Sequence, residues 1–315
     1  MSVVDVKAVR ALDRAVTTAY QIEFDKTLSQ LQDFNDMTME IPTDSLEAKV
    51  VFTNHWNGLE QIEFNENVPQ TSVTGEIYTI YARRYAKSVW VPKYDYKSPS
   101  SQAIIMNNVR AMAREASVQR ARRIAYILAN GDSTAVQTYD SVNLFSDSHT
   151  LNGVTWDNLQ AGALSASTFE TAKQKLRQIP LGPGGSYLPT ENANFWLIVP
   201  PALEKDARLI LNNQYLYDQT GNSTGVPATN PYANAAKLVV SSLLTDSNDW
   251  YMILDLPSIK PFATVRSADS TGALVSIMGE NDKDVANLQI YQWFVNLIEE
   301  TYPIHYYLMI KVVNS

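Results

Sequence analysis

The chain has 315 residues, enough for one large domain or two lobes with a sizeable core, and its 45% hydrophobic and 18% charged content is that of a globular protein, which excludes disorder as the dominant state. The absence of cysteine excludes disulfides, thiolate metal sites and cysteine nucleophiles, and three histidines leave little material for metal or acid–base chemistry. The net charge of -8 is unevenly spread: between Arg83 and Arg123 ten basic residues stand against two acidic ones, a local +8 that leaves -16 for the rest. Such a zone serves either a nucleic-acid face or docking onto acidic zones of identical neighbours, and docking is placed first.

In chain order, Asp5, Lys7, Arg10, Asp13 and Arg14 interrupt the apolar stretch that a secretion signal needs. No run of about 18 apolar residues occurs, so a soluble protein without membrane association is expected. From Val9 to Leu31 apolar residues recur at spacings of three and four, the pattern of an amphipathic helix. Met37 to Asp44, with Pro42, reads as a break that leaves this helix as an arm outside the main body. Residues 46–94 change to alternation (Val50 and Phe52; Ile77, Thr79, Tyr81, Arg83 and Tyr85), which predicts a long β-hairpin with an irregular tip and strand edges that a neighbour would cover.

Ser98-Pro99 starts and Asn130-Gly131 stops an unbroken helix on the order of 45 Å long at about 1.5 Å per residue. Asn143 to Leu164 reads as a loop, followed by a helix from Ser167, with Glu170 completing a capping box, to Ile179. Strand Phe195 to Val199 runs through Pro200-Pro201 into a helix over Ala202 to Leu211. Further strands are expected at Leu238 to Val240, Trp250 to Leu254, Ala273 to Met278 and, as a pair, Leu288 to Glu299 with Tyr306 to Val313. Helices and strands mix without a βαβ rhythm, which predicts an α+β fold.

Catalytic signatures are missing. There is no phosphate-binding GxxxxGK[ST], no GxGxxG after a strand and no HExxH. Gly221 to Gly225 matches GxSxG with Ser223 at its centre, but it lies in a polar, proline-flanked stretch where no strand delivers a nucleophile. Asp147 and His149 are two possible ligands where a metal site needs three or four; the plain reading is a pair that ties down a loop. Glu299-Glu300 reads as a solvated strand end or an interface contact. No catalytic, cofactor-binding or metal residues are assigned.

Leu144-Phe145-Ser146-Asp147-Ser148-His149, then Trp156-Asp157-Asn158-Leu159 and the helix from Thr168, lead to Phe195-Trp196-Leu197-Ile198-Val199-Pro200-Pro201-Ala202-Leu203-Glu204-Lys205, with Ala207 and Leu211 beyond. This stretch, Asn143 to Tyr217, resembles the Mu-like phage major head subunit family, the T protein of Mu-like phages and prophages. The order of the remaining elements is similar to the fold of Hong Kong 97-type phage capsids. The resemblance implies an N-terminal arm (1–43), an E-loop hairpin (44–97), a peripheral domain (98–156) with a spine helix (98–130), an axial domain (157–278) and a return to the peripheral domain (279–315). It further implies a virion protein made in the host cytoplasm that forms pentamers and hexamers of an icosahedral shell. Its other expected partners are a separate scaffolding protein, a portal, decoration proteins and nonspecifically held double-stranded DNA.

Arg83, Arg84, Arg110, Arg114, Arg120, Arg122 and Arg123, with Glu60, Glu63 and Glu66 of the hairpin, are candidates for electrostatic contacts between subunits. Two other readings are kept: an encapsulin-like nanocompartment shell, and a hydrolase using Ser223 or the Asp147 and His149 pair.

Overall fold

The computed structural model describes residues 6–53, 75–151, 153–180, 187–191, 193–213, 215–216, 228–257, 259–267, 272–277 and 288–314. In chain order the elements are α1 (Val6–Gln30), α2 (Gln32–Asp36), β1 (Thr38–Thr43), β2 (Glu47–Thr53), β3 (Gly75–Tyr81), β4 (Arg83–Pro92), α3 (Pro99–Asn130), β5 (His149–Leu151), β6 (Val154–Trp156), β7 (Leu159–Ala161), α4 (Ala166–Arg177), β8 (Asn194–Val199) and α5 (Glu204–Asn212). They continue with β9 (Tyr215–Leu216), β10 (Ala228–Thr229), β11 (Lys237–Val240), β12 (Trp250–Asp255), β13 (Phe262–Ser267), β14 (Leu274–Ile277), β15 (Ile290–Pro303) and β16 (Met309–Val313).

Two five-stranded sheets organise the chain. The first is built on β15, whose 14 residues alternate between more and less buried positions and place Tyr291, Trp293, Val295 and Leu297 on the core side. β4 pairs along one edge of it; β14 and then β13 pair along the other, and β1 adds to β13 in parallel. The second sheet has the order β11-β8-β12-β16-β7. Phe195 to Val199 and Trp250 to Leu254 are buried throughout, the signature of strands covered on both faces.

The 32-residue α3, about 48 Å long, serves both sheets. Its first half sends Ile105, Val109, Met112 and Ala113 into a core shared with α1 and the start of β15. Its second half sends Ala121, Ile124, Ile127 and Leu128 into the core of the second sheet. Gly131 ends it in an ordinary helical conformation (φ -69°); the glycine is needed because a Cβ there would stand 2.6 Å from the Phe145 ring.

Several expectations are corrected. α1 is no arm outside the body: Val9, Leu12, Val16 and Tyr20 bury its apolar stripe, and the Tyr20 hydroxyl donates to the Gly272 carbonyl at 2.6 Å. The supposed break at Pro42 is β1, an edge strand, where a missing N–H costs no ladder bond. The hairpin expected over 44–97 is two structures. β2 and β3 pair from Glu47↔Tyr81 to Thr53↔Gly75, while β4 leaves the hairpin at Ala82 and becomes a partner of β15. The closing strands do not pair with each other, since β15 belongs to the first sheet and β16 to the second. The cap of α4 is Ser165, whose hydroxyl accepts from Thr168 N at 3.2 Å while Thr168 Oγ1 accepts from Ser165 N at 3.0 Å. The expected loop before it contains β5, β6 and β7.

Candidate functional site

Arg120 and Arg123 lie three residues apart on the flank of α3 that faces the end of β15. Arg120 Nη2 lies 2.8 Å from Glu40 Oε1 on β1 and 3.3 Å from Glu299 Oε2. Arg123 Nε lies 2.5 Å from Glu300 Oε1, and Arg83 Nε lies 3.5 Å from Glu300 Oε2. The Tyr85 hydroxyl donates to Glu300 Oε2 at 2.7 Å. Its pKa is raised, first by burial and then by that carboxylate. Glu299 and Glu300 are 6% and 3% exposed, so they are neither a solvated strand end nor an accessible contact. Each carboxylate is committed to arginines of its own chain, and the cluster ties α3, β1, β4 and β15 together. Removing Arg120 or Arg123, which face the buried Glu299 and Glu300, costs about 3–5 kcal/mol, because the remaining charge is stranded.

The other candidate arginines divide in the same way. Arg114 pairs with Glu23 of α1 at 2.5 Å, and this contact holds the Glu23 pKa down. Arg122 pairs with Glu115 at 2.9 Å on the open side of α3, and Arg84 Nε donates to Asn296 Oδ1 at 2.7 Å. Arg110 is exposed with no carboxylate in ion-pair contact among the described residues. Glu60, Glu63 and Glu66 lie outside the described residues, as does Ser223.

The Leu144 to His149 segment is a structural knot. His149 is fully buried and stacks on Tyr306 with ring centroids 3.9 Å apart. Its Nδ1 lies 2.7 Å from Asp140 Oδ2 and its Nε2 lies 3.2 Å from the Leu144 carbonyl oxygen. The partner is therefore Asp140, not Asp147, which is exposed. Burial acts against the Asp140 carboxylate, but hydrogen bonds from His149, Thr138 and the Val142 N–H outweigh it and lower its pKa. Asn158 completes the knot: its Oδ1 accepts from Ser146 N at 2.8 Å, and its Nδ2 donates to the Leu144 and Tyr306 carbonyls at 2.8 and 3.1 Å.

Sequence reasoning missed Lys311. Its ammonium, in an otherwise apolar strand, is buried between Asp132 at 2.9 Å and Asp249 at 3.1 Å. The signal was a lysine within Met309–Val313, where only a paired cation is tolerated. Among the described residues no group of three or more His, Cys, Asp or Glu could hold a metal ion, and no helix is long and apolar enough to cross a membrane.

What the molecule offers outward is surface. The β2–β3 hairpin packs one face, with Val50, Tyr78 and Ile80, onto its own first sheet near Val265 and Tyr302. The Tyr302 hydroxyl donates to the Tyr81 carbonyl at 3.0 Å. The root of the hairpin is thus folded onto its own body. The opposite face turns Val51 and its cross-strand partner Ile77 outward, 60% and 65% exposed, with Tyr81 at the root of the same strand 52% exposed. A two-stranded ribbon with such an apolar outer face on a folded body is a place where another surface is expected.

The family model for phage capsid proteins matches residues 101–297. No curated protein matches the sequence. Among solved structures, the chain is similar to the capsid of cyanophage P-SCSP1u (10% identity, 90% of this chain and 88% of that one, TM-score 0.56). It is similar to the virus-like particle from Pyrococcus furiosus (11% identity, 95% and 98%, TM-score 0.50). It is also similar to the capsid of bacteriophage JBD30 decorated with minor capsid protein trimers (15% identity, 67% and 90%, TM-score 0.50). At these identities the likeness is one of fold.

Proposed function

The chain belongs to the phage capsid protein family and has the Hong Kong 97-type fold, and from that premise we propose that it is the major head subunit of a tailed phage of the Mu-like kind. It is a structural protein of the virion, not an enzyme. In this reading copies assemble as pentamers and hexamers into an icosahedral shell around double-stranded DNA, with a separate scaffolding protein, a portal and decoration proteins as partners. The Mu-like assignment is supported by the Leu144 to His149 knot, by Asn158, and by the passage from Phe195–Val199 through Pro200-Pro201 into α5.

In this reading the E-loop is the β2–β3 hairpin, the sheet around β15 with α1 and α3 is the peripheral part, and the sheet around β8 and β12 is the axial part. β1, β4, β13 and β14 then go with the peripheral sheet, and β16 with the axial sheet. A cargo-holding shell of the same fold is distinguished by particle content, protein cargo in place of DNA.

The observation that carries the assembly reading is the hairpin's outer face: Val51 and Ile77 are left open by the described residues of their own chain, and many moderate interfaces of this kind add through multivalency. The double variant Val51→Asp, Ile77→Asp is expected to stay folded, because both sites are solvent-facing, and to form no closed particles. Sedimentation and negative-stain imaging measure this. Closed particles at the wild-type yield would refute the hairpin's role.

A further inference from the structure

α1 and α3 run side by side, and between them lies an open groove of about 590 Å³. Its floor is made of small side chains, Ala15, Thr18 and Ala19, and its walls carry Arg14, Arg110 and Arg114 against a single carboxylate, Glu23, with Ile22 and Met106. Arg10 stands one turn before Arg14 on the exposed side of α1, so each helix contributes an arginine pair four residues, about 6 Å, apart. Arg114 is held by Glu23. Arg10, Arg14 and Arg110 are exposed and have no carboxylate in ion-pair contact among the described residues. Glu23 is committed to Arg114 and also lies in the field of Arg110, while Asp13 accepts the Trp293 indole N–H at 3.1 Å, so three cations share one groove carboxylate.

The basic zone is therefore sorted by the fold. Arg120 and Arg123 go into the buried cluster, while around this groove Glu23 takes up Arg114 and leaves Arg10, Arg14 and Arg110 in excess. Protein-docking surfaces centre on large apolar anchors. Here the one strongly exposed large apolar side chain in the lining is Ile22 at 63%, and the floor is smooth. Unpaired guanidinium groups flanking a smooth channel, without aromatic platforms, suit the sequence-independent contacts that phosphates accept.

We infer that the α1–α3 groove seats the phosphodiester backbone of the enclosed nucleic acid, through Arg14 and Arg110 with Arg10 beside them, and that this helical face is the inner face of the shell. The inference rests on the capsid reading above and adds to it the residues and the side of the subunit that meet DNA. Binding of this kind is nonspecific in sequence and strongly salt-dependent.

The test uses full-length unassembled protein and a fluorescent 30-base-pair duplex, with affinity followed by anisotropy across salt concentrations. Arg14→Gln with Arg110→Gln should lower the slope of log affinity against log salt by about 1.8, at about 0.9 for each phosphate that is no longer neutralised. Arg208→Gln, on α5 and paired with Glu204, should leave the slope unchanged. An unchanged slope in the double variant overturns the proposal. So does a variant that binds the duplex normally but no longer forms shells, which would make the groove an interface between copies. Because the chain has no cysteine, Thr18→Cys supplies one thiol for orientation. On intact particles it should resist a bulky polymer-linked maleimide and react once the particles are opened; rapid labelling of intact particles overturns the inward placement. If the wild-type protein forms no particles even with its scaffolding protein, the capsid reading falls by itself, and the salt slope still decides the groove.

Discussion

The two sheets are stabilised in different ways. The sheet around β8 and β12 is closed: its central strands are buried from end to end, and helices and loops of the same chain cover both faces. The sheet around β15 is open, since it shows the half-buried alternation of a surface sheet. Its edge strand β1 carries Pro42, and on the sheet sits a hairpin whose other side carries Val51 and Ile77 facing outward. The closed sheet finds its stabilising contacts within one chain, whereas the open one leaves apolar area to be covered by something else. On the proposed function, the closed half would supply the subunit's own stability and the open half its contacts with neighbours.

The largest expected effect probes the closed half directly. Trp250 is fully buried and its indole N–H reaches the Gly162 carbonyl at 3.4 Å, so Trp250→Ala should cost about 3–5 kcal/mol in denaturant unfolding of the unassembled subunit. The hairpin variant Val51→Asp should move the same curve by under about 0.5 kcal/mol and act on assembly instead. Equal destabilisation by the two would erase the distinction.

A smaller effect is expected at the joint where the chain passes from β15 to β16. His305 sits there, its backbone N–H donating to the Pro261 carbonyl at 3.2 Å, and burial lowers its pKa from 6.5 to about 4. A histidine kept neutral by the fold takes up its proton more readily when unfolded. Its contribution is therefore intact above pH 6.5 and is lost progressively as pH falls toward about 4. Stability measured across that window should decline in the wild type and decline less in His305→Asn; parallel profiles would refute the assignment. The smallest effect sharpens a local boundary: Ser165→Ala should cost about 1 kcal/mol by removing the α4 cap, and Ser167→Ala should stay within about 0.5 kcal/mol.

What could be read from the chain was what local chemistry decides. The spine helix between Ser98-Pro99 and Gly131, the strand Asn194–Val199 with its proline exit, and α5 each carry their own start, stop and period. The charge asymmetry was also visible, but its use was not. Arg123 and Glu300 are 177 positions apart in sequence, and nothing in composition reveals that they are 2.5 Å apart in space. The same holds for the pairing of His149 with Asp140 in place of Asp147, which depends on how a loop closes.

The sequence by itself determined the long helices and the strands with a strong apolar period, because backbone propensity and side-chain period act over a few residues; the short strands β1, β5, β6 and β7, which depend on distant partners, it did not. Only the tertiary structure decided that α1 lies along α3, that β15 and β16 part company into different sheets, and which arginines are used up inside the molecule. Those outcomes follow from burial and from ion pairing between distant segments, and a buried charge takes whichever partner the packing brings within reach.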